Sequence, residues 1–363
     1  MSTLASRTEQ ANPMGTTTPA HPTGVEIVAG GRRSRGRRRR IVLCAMVLVV
    51  VILFATTLMV GRTIYSPAEV LGVIAGQDVA GASFTVGRLR LPRAVLAVLA
   101  GVCFGIGGVT FQTMLRNPLA SPDIIGISSG ASAAAAFAII VLGLGGAQVS
   151  VFAIVVGIAV ALLIYVLAYR GGVVGTRLVL IGIGIAATLD AVTNYILKSA
   201  PQWELQEAMR WITGSLNGAS WDSVGLVLAA CLVCVPILLL KARDLSMLGL
   251  GDDTASALGV RTERTRILLI VAAVGLNAFA TAATGPIAFV AFLSGPIAAR
   301  IVGPHGSPLI PAALVGVTLV LGADLVGQFA FDTRFPVGVV TGALGAPYLV
   351  YLIARTNRTG GSL

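Results

Sequence analysis

The chain has 363 residues, 56% of them hydrophobic and 11% charged, with a mean hydropathy of +0.90 and a net charge of +11. Soluble domains carry about 25% charged residues, so this composition excludes a water-soluble globule and points to lipid as the solvent. The positive excess needs no nucleic acid: seven arginines stand together in Arg32–Arg40, directly before the first long apolar run, where the anionic inner leaflet would hold them.

A helix needs about 20 apolar residues to cross a hydrocarbon core about 30 Å thick. Residues 1–40, rich in Thr, Gly, Pro and Ala, read as a disordered basic cytoplasmic tail. Ile41–Gly61 is free of charge and fits the first span. It is longer than a signal-peptide core, and no small-residue cleavage site follows it, so it is expected to stay. Ala94–Leu115 fits a second span. Ile124–Tyr169 is charge-free over more than twice one crossing and turns at Gly143–Gly146, which makes it a helical pair. Leu178–Leu197 and Ser223–Leu240 follow as single spans. Ile267–Ala299, broken at Thr284-Gly285-Pro286, is a second pair. Leu309–Gln328 and Phe335–Ala354 complete about ten crossings in a permease domain spanning 41–356, with a short cytoplasmic tail at 357–363. The expected fold is an all-α transmembrane bundle with both termini in the cytoplasm.

Lys and Arg in short loops set the orientation. With both termini inside, 19 of the 26 fall on the cytoplasmic side; Arg62, Arg88, Arg90, Arg93, Lys198, Arg210 and Arg334 fall outside.

Several motif matches carry no chemistry in this setting. Gly126-Ile127-Ser128-Ser129-Gly130 has the spacing of a nucleophile elbow, but it opens a membrane helix, and the chain has only two histidines, His21 and His305. Gly182–Ala187 imitates a dinucleotide fingerprint inside a span. Like Gly101-x-x-x-Gly105 and Gly338-x-x-x-Gly342, it suits close helix packing. Cys231-x-x-Cys234, with Cys44 and Cys103, lies in apolar runs where thiols act as small hydrophobes. No metal site is expected. A phosphate-binding loop needs a Gly-Lys pair, and the only lysines, Lys198 and Lys241, each follow a leucine. A Walker-type ATPase site is therefore excluded from this chain.

Charged groups within spans are few: Asp190 and Asp324, with Asn194 and Asn277 as polar companions. Asp190 and Asn194 are one helical turn apart and share a face. They are candidates to line a polar path, or to make an interhelical hydrogen bond. A proton-coupled carrier would show more such groups.

A set of segments, in order over residues 41–355, resembles the FecCD family of permeases, which serve importers of ferric siderophores, haem and vitamin B12. They are Arg88-Leu89-Arg90-Leu91-Pro92-Arg93, Gly108–Gln112, Leu115–Pro122 with Gly126–Ala131, Trp211–Leu216, Leu248–Val260 and Pro336–Pro347. The resemblance implies an ATP-driven importer. Two permease halves would work with two ATPase chains, which bind ATP and Mg, and with an extracytoplasmic substrate-binding protein. This chain would bind no cofactor and no nucleic acid, and would sit in the cytoplasmic membrane.

The resemblance also implies roles for residues. Arg90 and Arg93 would offer cations to the binding protein. Leu248, Gly249, Gly251, Ala255, Leu258 and Gly259 would lie in the cytoplasmic coupling helices that dock on the ATPase, the glycines allowing close approach and the two leucines supplying apolar contact. Gly175 and Thr176 would form the cytoplasmic gate. Two departures stand out. Gly295-Pro296 replaces the family's Pro-His pair, and Gln328 replaces an external arginine, with Arg334 as a possible substitute. These losses point to one half of a heterodimeric permease. The expected cargo is a ferric siderophore, with haem or vitamin B12 behind it. A secondary transporter working alone and a membrane-embedded enzyme are the competing classes.

Overall fold

The computed structural model describes residues 24–123, 126–169, 175–303 and 306–358. The elements among them are helical: α1 (Gly24–Met59), α2 (Pro67–Ile74), α3 (Ala82–Phe84), α4 (Leu91–Met114), α5 (Ile127–Ile140), α6 (Ala147–Ala168), α7 (Gly175–Lys198) and α8 (Gln202–Ile212). Then come α9 (Trp221–Leu240), α10 (Ala242–Leu248), α11 (Asp252–Ala257), α12 (Thr262–Thr284), α13 (Val290–Val302), α14 (Leu309–Phe329) and α15 (Val337–Arg358). A π-helical turn at Thr85–Arg90 joins α3 to α4.

Among the described residues seven helices are long and apolar enough to cross a bilayer, and Ile127–Ile140, Val290–Val302 and Val337–Tyr351 are shorter apolar helices. Each of the ten expected crossings falls on one of these. The short elements α2, α8, α10 and α11 carry too few residues to span and were invisible to a hydropathy reading.

The tail differs from expectation. Residues 24–40 form the first part of α1 rather than an irregular segment. Arginine is a good helix former, and a helix nucleated by the apolar run extends at one hydrogen bond per added residue. Similarly, the boundary drawn at 357 falls inside α15. Residues 1–23 and 359–363 lie outside the described residues.

Contacts divide the chain into two units, Met1–Val42 and Leu43–Leu363. In the first, the described residues are helical and expose Arg35, Arg37, Arg38 and Arg40. The second is organised around α4, which packs on α14, α12, α13 and α9.

Lipid is as apolar as leucine, so helices associate in a membrane through close contact rather than through burial from water. α4 and α14 achieve it with glycine. Gly101 and Gly105 face the backbone of Ala312, Gly316 and Val317, where a Cβ on either helix has no room. The two helices run antiparallel, since the start of α4 meets the end of α14 at Arg93 and Asp324.

Between α12 and α13 the backbone leaves the helix over Gly285–Phe289, with Gly285 at φ 69° and Phe289 at φ 64°. Such backbone is tolerated at membrane depth only where protein covers it. Here Ile287 is buried, and the Ser215 amide donates to the Thr284 carbonyl at 2.6 Å.

Candidate coupling, docking and translocation surfaces

The outer end of the bundle is tied by two arginines. Arg90 turns back on the end of α1: its Nη1 donates to the carbonyls of Leu58 and Met59 at 2.9 and 3.0 Å, and its Nη2 to Thr63 at 2.7 Å. The guanidinium also lies 5.0 Å from the ring centre of Tyr65. A helix leaves its last four carbonyls without partners, and Arg90 satisfies two near that end. Gly61 lets the guanidinium lie close against the backbone, where a Cβ would displace it.

Arg93 holds Asp324 by two parallel bonds, Nη2 to Oδ1 at 2.7 Å and Nε to Oδ2 at 3.0 Å, while its Nη1 donates to Asn217 at 2.7 Å. Gln328 closes the group by donating to Asp324 Oδ2 at 2.7 Å. The carboxylate is 1% exposed and fully engaged.

Arg90 and Arg93, expected to offer cations to a binding protein, are thus each bonded within the subunit. Both cations are spent inside the subunit, since a buried carboxylate and a frayed helix end compete for a guanidinium more strongly than water or a distant partner does. The exposed cations on this side are Arg62, Arg88, Lys198, Arg210 and Arg334, and none has an ion-pair or hydrogen-bond partner among the described residues. The bond between residues 93 and 324 spans 231 positions, so no local pattern could have announced it.

The inner end carries α10 and α11. Gly251 separates them at φ 116°, ψ 153°, a backbone region essentially closed to residues with a Cβ. Gly249 remains in helical geometry, and Gly259, at φ 86°, has open space around it. Leu248 and Ala255 are buried against the bundle at 1% and 0% exposure, whereas Leu250 and Leu258 face outward at 66% and 55%. Leu248 therefore anchors the element, and Leu250 joins Leu258 on its outer surface.

A buried arginine fixes α11 to α12. Arg266 Nη2 donates to both oxygens of Asp252 at 2.8 Å, and Nη1 lies 3.4 Å from Glu263, which also accepts from Tyr165 at 3.2 Å. The sequence reading missed this cluster, although a cation immediately before the apolar run at Ile267 was its signal. In the loop preceding α5, burial pushes the Asp123 carboxyl up to about 6, against a stabilising 2.5 Å bond from the Ser128 hydroxyl.

Helix α7 is different. Only 17% of its apolar window is buried, against 78% for the helix that includes α4. Gly175 and Thr176 start it, Thr176 being exposed, and 170–174 lie outside the described residues. Asp190 and Asn194 are both exposed on this surface, one turn apart, with no hydrogen bond to another described residue.

Residues 47–355 match the FecCD transport family. The chain belongs to that family. It is 38% identical over 302 residues to the ferric enterobactin transport system permease FepG of Escherichia coli, covering 83% of this chain and 92% of that one. It is 40% identical over 303 residues to the achromobactin transport system permease CbrC of Dickeya dadantii, covering 82% and 87%. Among solved structures, a metal-chelate type ABC transporter in an inward-facing conformation superposes with a TM-score of 0.78 at 27% identity, covering 87% of this chain and 99% of that one. This FecCD chain is a multi-pass membrane protein, and the ten apolar helices are the family's permease bundle.

Proposed function

We propose that this chain is one half of the permease of an ATP-driven importer that carries a ferric siderophore into the cytoplasm, with ATP hydrolysed by a separate subunit. The observation that carries this reading is the unpartnered polar pair Asp190 and Asn194 on the exposed face of α7. A carboxylate within a span does not face hydrocarbon: it faces a polar path or another protein surface. A second permease subunit opposite α7 supplies that surface and encloses a path between the two copies. Gly175 and Thr176 at the cytoplasmic start of the helix then stand at its inner gate.

The iron-chelate cargo follows the relatives named above. A homologous but different chain is the favoured partner, because Gln328 is engaged with Asp324 and offers no external cation. Docking of the extracytoplasmic binding protein falls to Arg62, Arg88, Arg210 and Arg334, since surface charge pairs chiefly set register and encounter rate. The ATPase meets the outward face of α10–α11 at Leu250 and Leu258, with Gly249, Gly251 and Gly259 shaping the backbone and Leu248 and Ala255 holding it to the bundle. Because α11 is clamped to α12 by Arg266, a push on it is transmitted as rigid-body tilt to α12.

Uptake of a ferric siderophore by the reconstituted complex tests this directly. Inhibition by vanadate with indifference to an uncoupler is expected. The opposite pattern identifies a secondary transporter.

A further inference from the structure

The cytoplasmic ends of α9 and α12 enclose a cavity of about 380 Å³, lined by Lys241, Asp244, Arg261, Arg264, Thr265 and Leu268 among others. A second hollow of about 530 Å³ on the α11 side shares Arg261 and Arg264. The nearby acids are taken: Lys241 binds Asp244 at 2.8 Å, and Arg266 binds Asp252 and Glu263. Arg261 and Arg264 are exposed and have no ion-pair or hydrogen-bond partner among the described residues. Two unneutralised guanidiniums, three positions apart, thus project at one cavity, and the positive end of α12 adds to the same field.

Directly above the cavity the wall turns apolar. Leu268 and Val271 continue the Arg264 face of α12 into the bilayer at 38% and 63% exposure, and Leu239 and Leu240 do so at the end of α9, at 40% and 82%. A cationic pocket bordered by an exposed apolar surface fits an amphiphile with an anionic head and acyl tails, whereas a free anion has no use for the apolar surface.

We propose that this cavity binds the headgroup phosphate of an anionic phospholipid of the inner leaflet, with its chains lying along α9 and α12. Basic pockets between spans on the cytoplasmic side recognise such headgroups. The site adjoins α10 and α11, so an occupied pocket braces the elements that receive the ATPase.

The test is native mass spectrometry of the full-length chain in its complex, taken from nanodiscs of phosphatidylcholine and phosphatidylglycerol. Wild type is expected to retain phosphatidylglycerol selectively. Each arginine near the surface contributes about a fivefold preference, so Arg261→Gln/Arg264→Gln should bind it roughly 30-fold more weakly. Arg264→Gln alone should bind it about fivefold more weakly, which keeps the assignment testable if the double variant does not fold. Arg261→Lys/Arg264→Lys should keep most of the lipid. Unchanged retention in the glutamine variants overturns the site. Displacement of the lipid by excess inorganic phosphate overturns the phospholipid as its ligand. Loss of the ATPase chains with lipid retention intact assigns the cavity to a protein partner instead. Lipid retention is read without transport, so this outcome is independent of the uptake experiment.

Discussion

Helices α4 and α7 both cross the membrane and have similar lengths, yet they are built for opposite surroundings. In α4 the residues that matter are small, and Gly101, Gly105 and Gly108 meet the backbones of α14 and α13. In α7 the glycine at 184 meets nothing, and the polar residues Asp190 and Asn194 stand exposed. A glycine with a neighbour marks contact within the subunit. A carboxylate without one, at bilayer depth, marks a surface that the single chain leaves to something else.

The contrast breaks most severely at the tie between α4 and α14. Arg93→Ala leaves Asp324 charged and buried, and stability should fall by about 3–5 kcal/mol, read as thermal unfolding of the purified complex. Replacing both partners with leucine should recover much of that loss, because no charge is then stranded. Overfilling the same seam is the next largest effect: Gly101→Leu should cost about 1–3 kcal/mol by the same measurement. At the inner end, Gly251→Ala forces a Cβ into a closed backbone region, at a cost of about 1–3 kcal/mol confined to α10–α11. ATPase stimulation by the loaded binding protein should drop while unfolding temperature changes little.

On the α7 side the sign of the contrast reverses. Asp190→Asn should leave stability within about 0.5 kcal/mol and lower uptake, so undiminished uptake removes the path role. The smallest effect is expected at the docking cations. Arg210→Glu should slow binding-protein association at low salt and approach wild type at high salt, whereas the same change at Arg93 should act through folding.

The membrane helices were legible because seven are apolar runs of bilayer length and three more are shorter apolar runs, and the glycine spacings announced close packing. The two arginines near residue 90 were legible as cations but not as ties, since their partners are Asp324, Asn217 and the carbonyls of Leu58 and Met59. Leu248 and Leu258 looked alike in sequence. One is buried and the other exposed, because Gly251 turns the chain between them and sets which side of each short helix meets the bundle.

Hydropathy and charge by themselves determined the membrane setting and the placing of the apolar segments, since transfer into lipid is a property of each segment taken alone. The tertiary structure alone decided which polar groups are neutralised inside the subunit and which remain for partners. That depends on contacts between residues hundreds of positions apart, and burial makes an unpaired charge costly wherever no such contact forms.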